Sequence, residues 1–182
     1  VRLRLRGELP NILKECNASG LMVTHDPEEA MAICDKVAVM NSGQIHQLDK
    51  PYQIINNPKS LFVSSFILGN NIIEISREKN KLRSIVGNIE ADNLTSNQKV
   101  EFISISPKSF SIKLSTNGKG KVIAKEFLGE YFVYKVNISN INLRVRTNIK
   151  QDIEVGQKCE VSIIKGSQIF LFPGGYKRKI TQ

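Results

Sequence analysis

The chain has 182 residues, enough for one domain or two small ones, and its 41% apolar and 24% charged content is that of ordinary folded domains. No apolar run reaches the ~18–20 residues that a membrane-spanning helix needs. The net charge of +9 is uneven: residues 1–60 carry seven Lys/Arg and seven Asp/Glu, residues 61–182 nineteen and ten. Such asymmetry marks contact with nucleic acid or an anionic membrane, or simply a solvated basic surface. The basic residues are spread over many predicted strands, which favours the solvated surface. Cys16, Cys34 and Cys159 lie far apart in apolar patterns. They read as buried, reduced thiols in a reducing compartment.

In chain order, Leu3, Leu5, Leu9, Ile12, Leu13 and Cys16 recur at helical spacing and predict a helix, weakened by Gly7 and kinked at Pro10. Asn17-Ala18-Ser19-Gly20 ends it. Leu21–Val23 then reads as a short buried strand leading into Thr24-His25-Asp26. Pro27 suits the first turn of a helix, Glu28 and Glu29 complement its positive end, and Asp26 is placed to cap it. Ala30, Ile33 and Cys34 would face inward. Lys36–Met40 and Gln44–Leu48 are predicted strands around Asn41-Ser42-Gly43, with Gly43 supplying positive φ. Pro51 opens a helix that should bury Ile54 and Ile55, and Ser60–Leu68 is a further apolar helix. Gly69-Asn70-Asn71 reads as a hinge, with a domain break there.

Beyond residue 71 short alternating runs recur, the pattern of a small all-β barrel or sandwich. The candidates are Ile72–Ser76, Leu82–Val86, Val100–Ile105, Lys121–Phe127, Phe132–Ile138, Leu143–Thr147, Cys159–Ile164 and Ile169–Phe172. Phe132, Tyr134, Val136 and Ile138 should point inward, as should Leu143 and Val145, with Arg144 and Arg146 outward. Asn117-Gly118 and Ser139-Asn140 are turn signals, and Gly129 permits a tight corner. Phe102, Phe127, Phe132, Tyr134, Phe170 and Phe172 read as core rather than as base-stacking platforms. The tail Gly174-Gly175-Tyr176-Lys177-Arg178-Lys179 should fray.

His25 is the residue with the clearest chemical promise. An imidazole that closes an apolar run just ahead of a helix start can be aimed at a ligand, and its N–H can donate to a phosphate oxygen. His46 has no partner pattern and reads as a surface residue. No His, Cys, Asp or Glu cluster has metal-ligand spacing, so no metal site is expected within the chain.

The ordered series Gly20-Leu21-Met22-Val23-Thr24-His25-Asp26-Pro27-Glu28-Glu29-Ala30, Cys34–Met40, Asn41-Ser42-Gly43-Gln44-Ile45 and Pro51-Tyr52-Gln53-Ile54-Ile55 resembles the last third of the ATPase subunit of an ABC importer. The later Ser106-Pro107-Lys108, Glu126-Phe127-Leu128-Gly129-Glu130, Val155-Gly156-Gln157-Lys158 and Ile169-Phe170-Leu171-Phe172 look like the transport-associated oligosaccharide-binding (TOBE) domain appended to many such subunits. That domain usually has Arg-Pro-Glu where Ser106-Pro107-Lys108 stands. The resemblance implies an α+β chain: an α/β ATPase remnant over residues 1–70, then an all-β, OB-like small barrel over 71–182 serving regulation or dimerisation. It makes His25 the switch histidine, catalytic and in contact with the γ-phosphate of ATP.

A phosphate-cradling loop requires G-x-x-x-x-G-K-[ST]. Gly118-Lys119 and Gly120-Lys121 both lack the preceding Gly and the following Ser or Thr. Residue 1 is therefore expected to lie inside a larger protein, and the chain alone should neither bind ATP tightly nor hydrolyse it. The intact protein is expected to use ATP and Mg2+ on the cytoplasmic side of the plasma membrane. Its partners would be permease subunits, a second copy of itself and, indirectly, a substrate-binding protein. The run Leu21–Asp35 looks most like ferric-iron importers, though spermidine/putrescine, sulfate and sugar importers share much of it. A small-anion sensor and an OB-like nucleic-acid module are the competing readings. Nucleic acid is the less expected partner, because the series in residues 20–60 has no role there.

Overall fold

A computed structural model describes residues 2–78, 81–90, 100–148 and 152–180. The chain divides into two compact units, Val1–Leu68 and Gly69–Gln182.

The first unit opens with α1 (Arg2–Glu15), which contains Pro10. Asn17 ends it with a left-handed φ of 47°, and the Asn17 and Ala18 amides donate back to the Lys14 and Leu13 carbonyls at 3.1 and 2.8 Å. This is the double bond pattern of a Schellman cap, with Asn in the position glycine usually holds. α2 (Pro27–Ile33) precedes β1 (Val37–Asn41) and β2 (Gln44–Asp49), which pair antiparallel. Ser42 and Gly43 close that hairpin with φ of 49° and 76°, the positive pair a two-residue turn needs. α3 (Pro51–Asn56) and α4 (Leu61–Leu68) complete the unit.

Its core is small: Val37, Val39, Ile54 and Val63 are buried, with Ala30, Met31, Cys34, Phe62 and Ile67 packed around them. Buried Gln47 supports it by donating to the Asn57 carbonyl at 3.1 Å and accepting from the Lys59 amide at 3.0 Å. Ile55, expected inside, is exposed, because the short helix α3 turns one face inward and Ile54 occupies it.

The second unit is almost entirely β, so the chain as a whole is β-rich with few helices. In order its strands are β3 (Asn71–Glu74), β4 (Ser76–Glu78), β5 (Lys81–Ser84), β6 (Gly87–Ile89), β7 (Phe102–Ile105), β8 (Phe110–Leu114), β9 (Gly120–Phe127), β10 (Tyr131–Ile138), β11 (Ile141–Asn148), β12 (Lys158–Ile163), β13 (Gln168–Phe172) and β14 (Tyr176–Lys179). Their pairing gives a five-stranded sheet β11-β10-β9-β12-β8, a four-stranded sheet β14-β13-β7-β3 and a three-stranded sheet β4-β5-β6.

All three sheets feed one core, including Val136 and Leu143 from the first, Ile73 and Leu171 from the second, and Leu82 and Ile89 from the third. Full burial of each such side chain contributes about 1.5–3 kcal/mol. Tyr134, Val136 and Ile138 point inward and Phe132 is half-buried, while Arg144 and Arg146 stand outside Leu143 and Val145. Phe127 departs from the expected core set and is 57% exposed, since β9 ends at the corner where Gly129 takes φ +79°. The tail also departs from expectation. β14 pairs with β13 from Gln168↔Lys179 to Leu171↔Tyr176, and Ile180 is buried.

Asn71 joins two sheets. Its side chain donates to the Arg144 carbonyl at 2.8 Å and accepts from the Arg144 amide at 2.7 Å.

Candidate functional site

Thr24, His25 and Asp26 form a short brace ahead of α2. The Asp26 carboxylate accepts the Glu28 amide at 2.9 Å, the N-cap bond expected from the sequence. The Asp26 amide donates to Thr24 Oγ1 at 3.0 Å, and the Thr24 hydroxyl donates to Glu29 Oε2 at 3.0 Å. The backbone on both sides of His25 is thereby fixed to the first turn of the helix. The His25 side chain itself is exposed.

This arrangement presents one imidazole on a fixed backbone. At the helix start Pro27 has no N–H and Asp26 already takes the Glu28 amide. The exposed imidazole can supply a hydrogen bond to a phosphate oxygen.

The strand expected over Leu21–Val23 is not present. That segment has no regular structure, and Leu21 and Val23 are 96% and 92% exposed. A strand needs a neighbour to pair with, and β1 and β2 pair only with each other.

The remaining candidates resolve into structural roles. His46 Nδ1 lies 3.1 Å from Ser60 Oγ and its ring sits 5.0 Å from that of Phe62, so it is a packed, partnered residue. The cysteines differ: Cys159 is buried, Cys34 half-buried and Cys16 exposed, since Cys16 falls at the open end of α1. Burial pushes the Cys159 thiol pKa up. Among the described residues no group of three or more His, Cys, Asp or Glu is gathered in a way that could hold a metal. No helix among them is long and apolar enough to cross a membrane.

One cluster was not legible in the sequence. The Lys125 ammonium bonds Asp152 and Glu154, and lies 5.0 Å from the centre of the Phe132 ring. Hydrogen bonds to Asp152 and then Glu154 hold its pKa well above the ordinary lysine value. The neighbouring Ile153 amide donates to the buried Tyr134 hydroxyl at 3.2 Å. These bonds fasten residues 152–154 across the end of β9 and β10.

The chain matches no established protein-family profile. It is similar to curated proteins along most of its length. It is 38% identical over 138 residues to the spermidine/putrescine import ATP-binding protein PotA of Mesoplasma florum, covering 72% of this chain and 39% of that protein. The corresponding protein of Clostridium acetobutylicum is 29% identical over 169 residues, covering 90% of this chain and 47% of the relative. That of Mesomycoplasma hyopneumoniae strain J is 30% identical over 158 residues, covering 85% and 35%.

The chain is thus homologous to the C-terminal regions of ATP-binding subunits of ABC-type importers, a class of ATPases. It spans less than half the length of each of these relatives. All three are named for spermidine/putrescine import, so the ferric-iron expectation finds no support and is set aside. It rested on the run Leu21–Asp35 alone.

Proposed function

We propose that the chain is the C-terminal part of the ATP-hydrolysing subunit of an ABC-type importer for polyamines. In this reading residues 1–70 close its nucleotide-binding domain, and residues 71–182 form its TOBE-type regulatory β domain. The carrying observation is the extent of the similarity. Aligned stretches of 138 and 169 residues are longer than either compact unit, so each crosses the boundary between them. The relatives therefore carry counterparts of residues from both units, in the same order.

His25 acts in this reading as the switch histidine. The brace through Thr24 and Asp26 fixes the backbone from which the exposed imidazole projects, which supports a role for its N–H as a donor to the γ-phosphate of ATP. ATP and Mg2+ need many more contacts than one imidazole, and those belong to the part of the relatives that this chain does not span. When bound, the nucleotide supplies the free energy that moves the permease. The chain's own contribution is one oriented donor. The partners are permease subunits, a second copy of the protein and, indirectly, a substrate-binding protein, on the cytoplasmic side of the membrane.

The test places His25→Ala in the longer protein that contains this chain. Steady-state ATP turnover should fall by about 10²-fold or more, the scale of losing one positioned donor to developing charge, while nucleotide binding persists. Unchanged turnover would sink the assignment of His25. The 182-residue chain alone should show no turnover above background. Turnover by the isolated chain that disappears in His25→Ala would reveal a complete site within it.

A further inference from the structure

The strand register gathers cations that the sequence appears to scatter. On the outer face of the five-stranded sheet, Lys135 of β10 stands directly opposite Arg144 of β11, and Lys121 of β9 directly opposite Lys158 of β12. All four are exposed. Between the two pairs lie Asn137 and Asn142, opposite each other and joined by an Asn137 Nδ2 to Asn142 Oδ1 bond of 2.9 Å. Asn137 also stands opposite Lys121, so the band is continuous across four adjacent strands.

Like charges directly opposite one another weaken a sheet. Here two such pairs adjoin, and among the described residues none of the four cations has a carboxylate partner. The contrast with the same face nearer β8 is direct, since Lys113 there stands opposite Glu160. Strands are about 4.8 Å apart, so the band is roughly 14 Å wide, more than one small anion can span. Single charges recurring across it suit a polymer of repeated phosphates.

The face also says what kind of polymer. Tyr131 offers no open ring for base stacking there, because the Arg146 guanidinium covers it at 3.5 Å. The two amides are neutral hydrogen-bonding groups of the sort that meet sugars and phosphates. Of the exposed large apolar residues of β9, Ile123 at 40% exposure adjoins this band and Phe127 lies at the far end of the strand, too little apolar surface to enter a bilayer.

We propose that this face is a docking surface for the phosphate backbone of single-stranded nucleic acid, gripped by Lys121, Lys135, Arg144 and Lys158 without reading its sequence. The inference rests on the sheet alone and stands apart from the transport reading.

The experiment is fluorescence anisotropy of the full chain with a labelled oligouridylate of about 20 nucleotides, longer than the ~4–16 that one small barrel covers. Four phosphate contacts predict a slope of log K against log salt of about −3, at about −0.7 per contact on a single strand. Lys121→Gln with Lys158→Gln should reduce that slope by about 1.4, and so should Lys135→Gln with Arg144→Gln. Lys165→Gln, in the β12–β13 turn, should leave it unchanged. No variant should unfold at a lower temperature than the parent chain, since these side chains project into solvent and each double change removes a like-charge pair. No binding at low salt would overturn the proposal. So would binding that both double variants retain, or binding only to vesicles containing anionic phospholipid.

Discussion

A Cβ on Gly118 would stand 2.2 Å from the carbonyl oxygen of Cys159, and the obstacle is backbone, which has nowhere to go. Gly118→Ala should therefore destabilise the second unit at the upper end of the ~1–3 kcal/mol typical of overpacking. The midpoint of urea unfolding measures it, and a midpoint within error of the parent's would contradict the packing described. The thiols offer a test of exposure at the same scale. At neutral pH a disulfide reagent should modify Cys16 in the native chain and reach Cys159 only in denaturant, because Cys159 is buried and its thiol pKa is raised by that burial. Equal rates at the two would place Cys159 at the surface. Asp26→Ala should cost about 1 kcal/mol at the helix cap, read as faster amide exchange at Glu28. The Asp26 cap was legible because Asp before Pro-Glu-Glu is a local signal. The bond from Thr24 to Glu29 was not, since nothing in the sequence says which of several carboxylates a hydroxyl will choose.

Two strands show what alternation can and cannot reveal. β10 and β11 each run for eight residues, long enough for the inward and outward positions to separate clearly. β14 hides behind Gly174-Gly175 and consists of Tyr176-Lys177-Arg178-Lys179, a composition that suggests solvent rather than sheet. Its pairing comes from β13, whose edge offers the hydrogen bonds, and from Ile180. The Ile180 amide donates to Ser167 and its carbonyl accepts from Gly166, both at 2.9 Å. Ile180→Ala should accordingly lose about 2–5 kcal/mol, as a core residue does, where a frayed tail would lose nothing. Leu21–Val23 is the converse case. Its apolar composition signals a preference for burial, but among the described residues no strand pairs with it to satisfy that preference.

Across the whole molecule, charge was legible as a total and not as a pattern. The excess in residues 61–182 is evident by counting, yet only the register reveals that Lys135 faces Arg144 and Lys121 faces Lys158. The role proposed for His25 likewise comes from resemblance to other chains rather than from its own neighbours, which explain how its backbone is held. The Asn71 clamp has a consequence for solubility. β11 lies at the edge of its sheet, and an edge strand exposes backbone groups that can template pairing with another chain. By taking both the amide and the carbonyl of Arg144, one amide side chain occupies the place where an intruding strand would dock. A single asparagine thus acts as a plug against intermolecular sheet growth midway along β11.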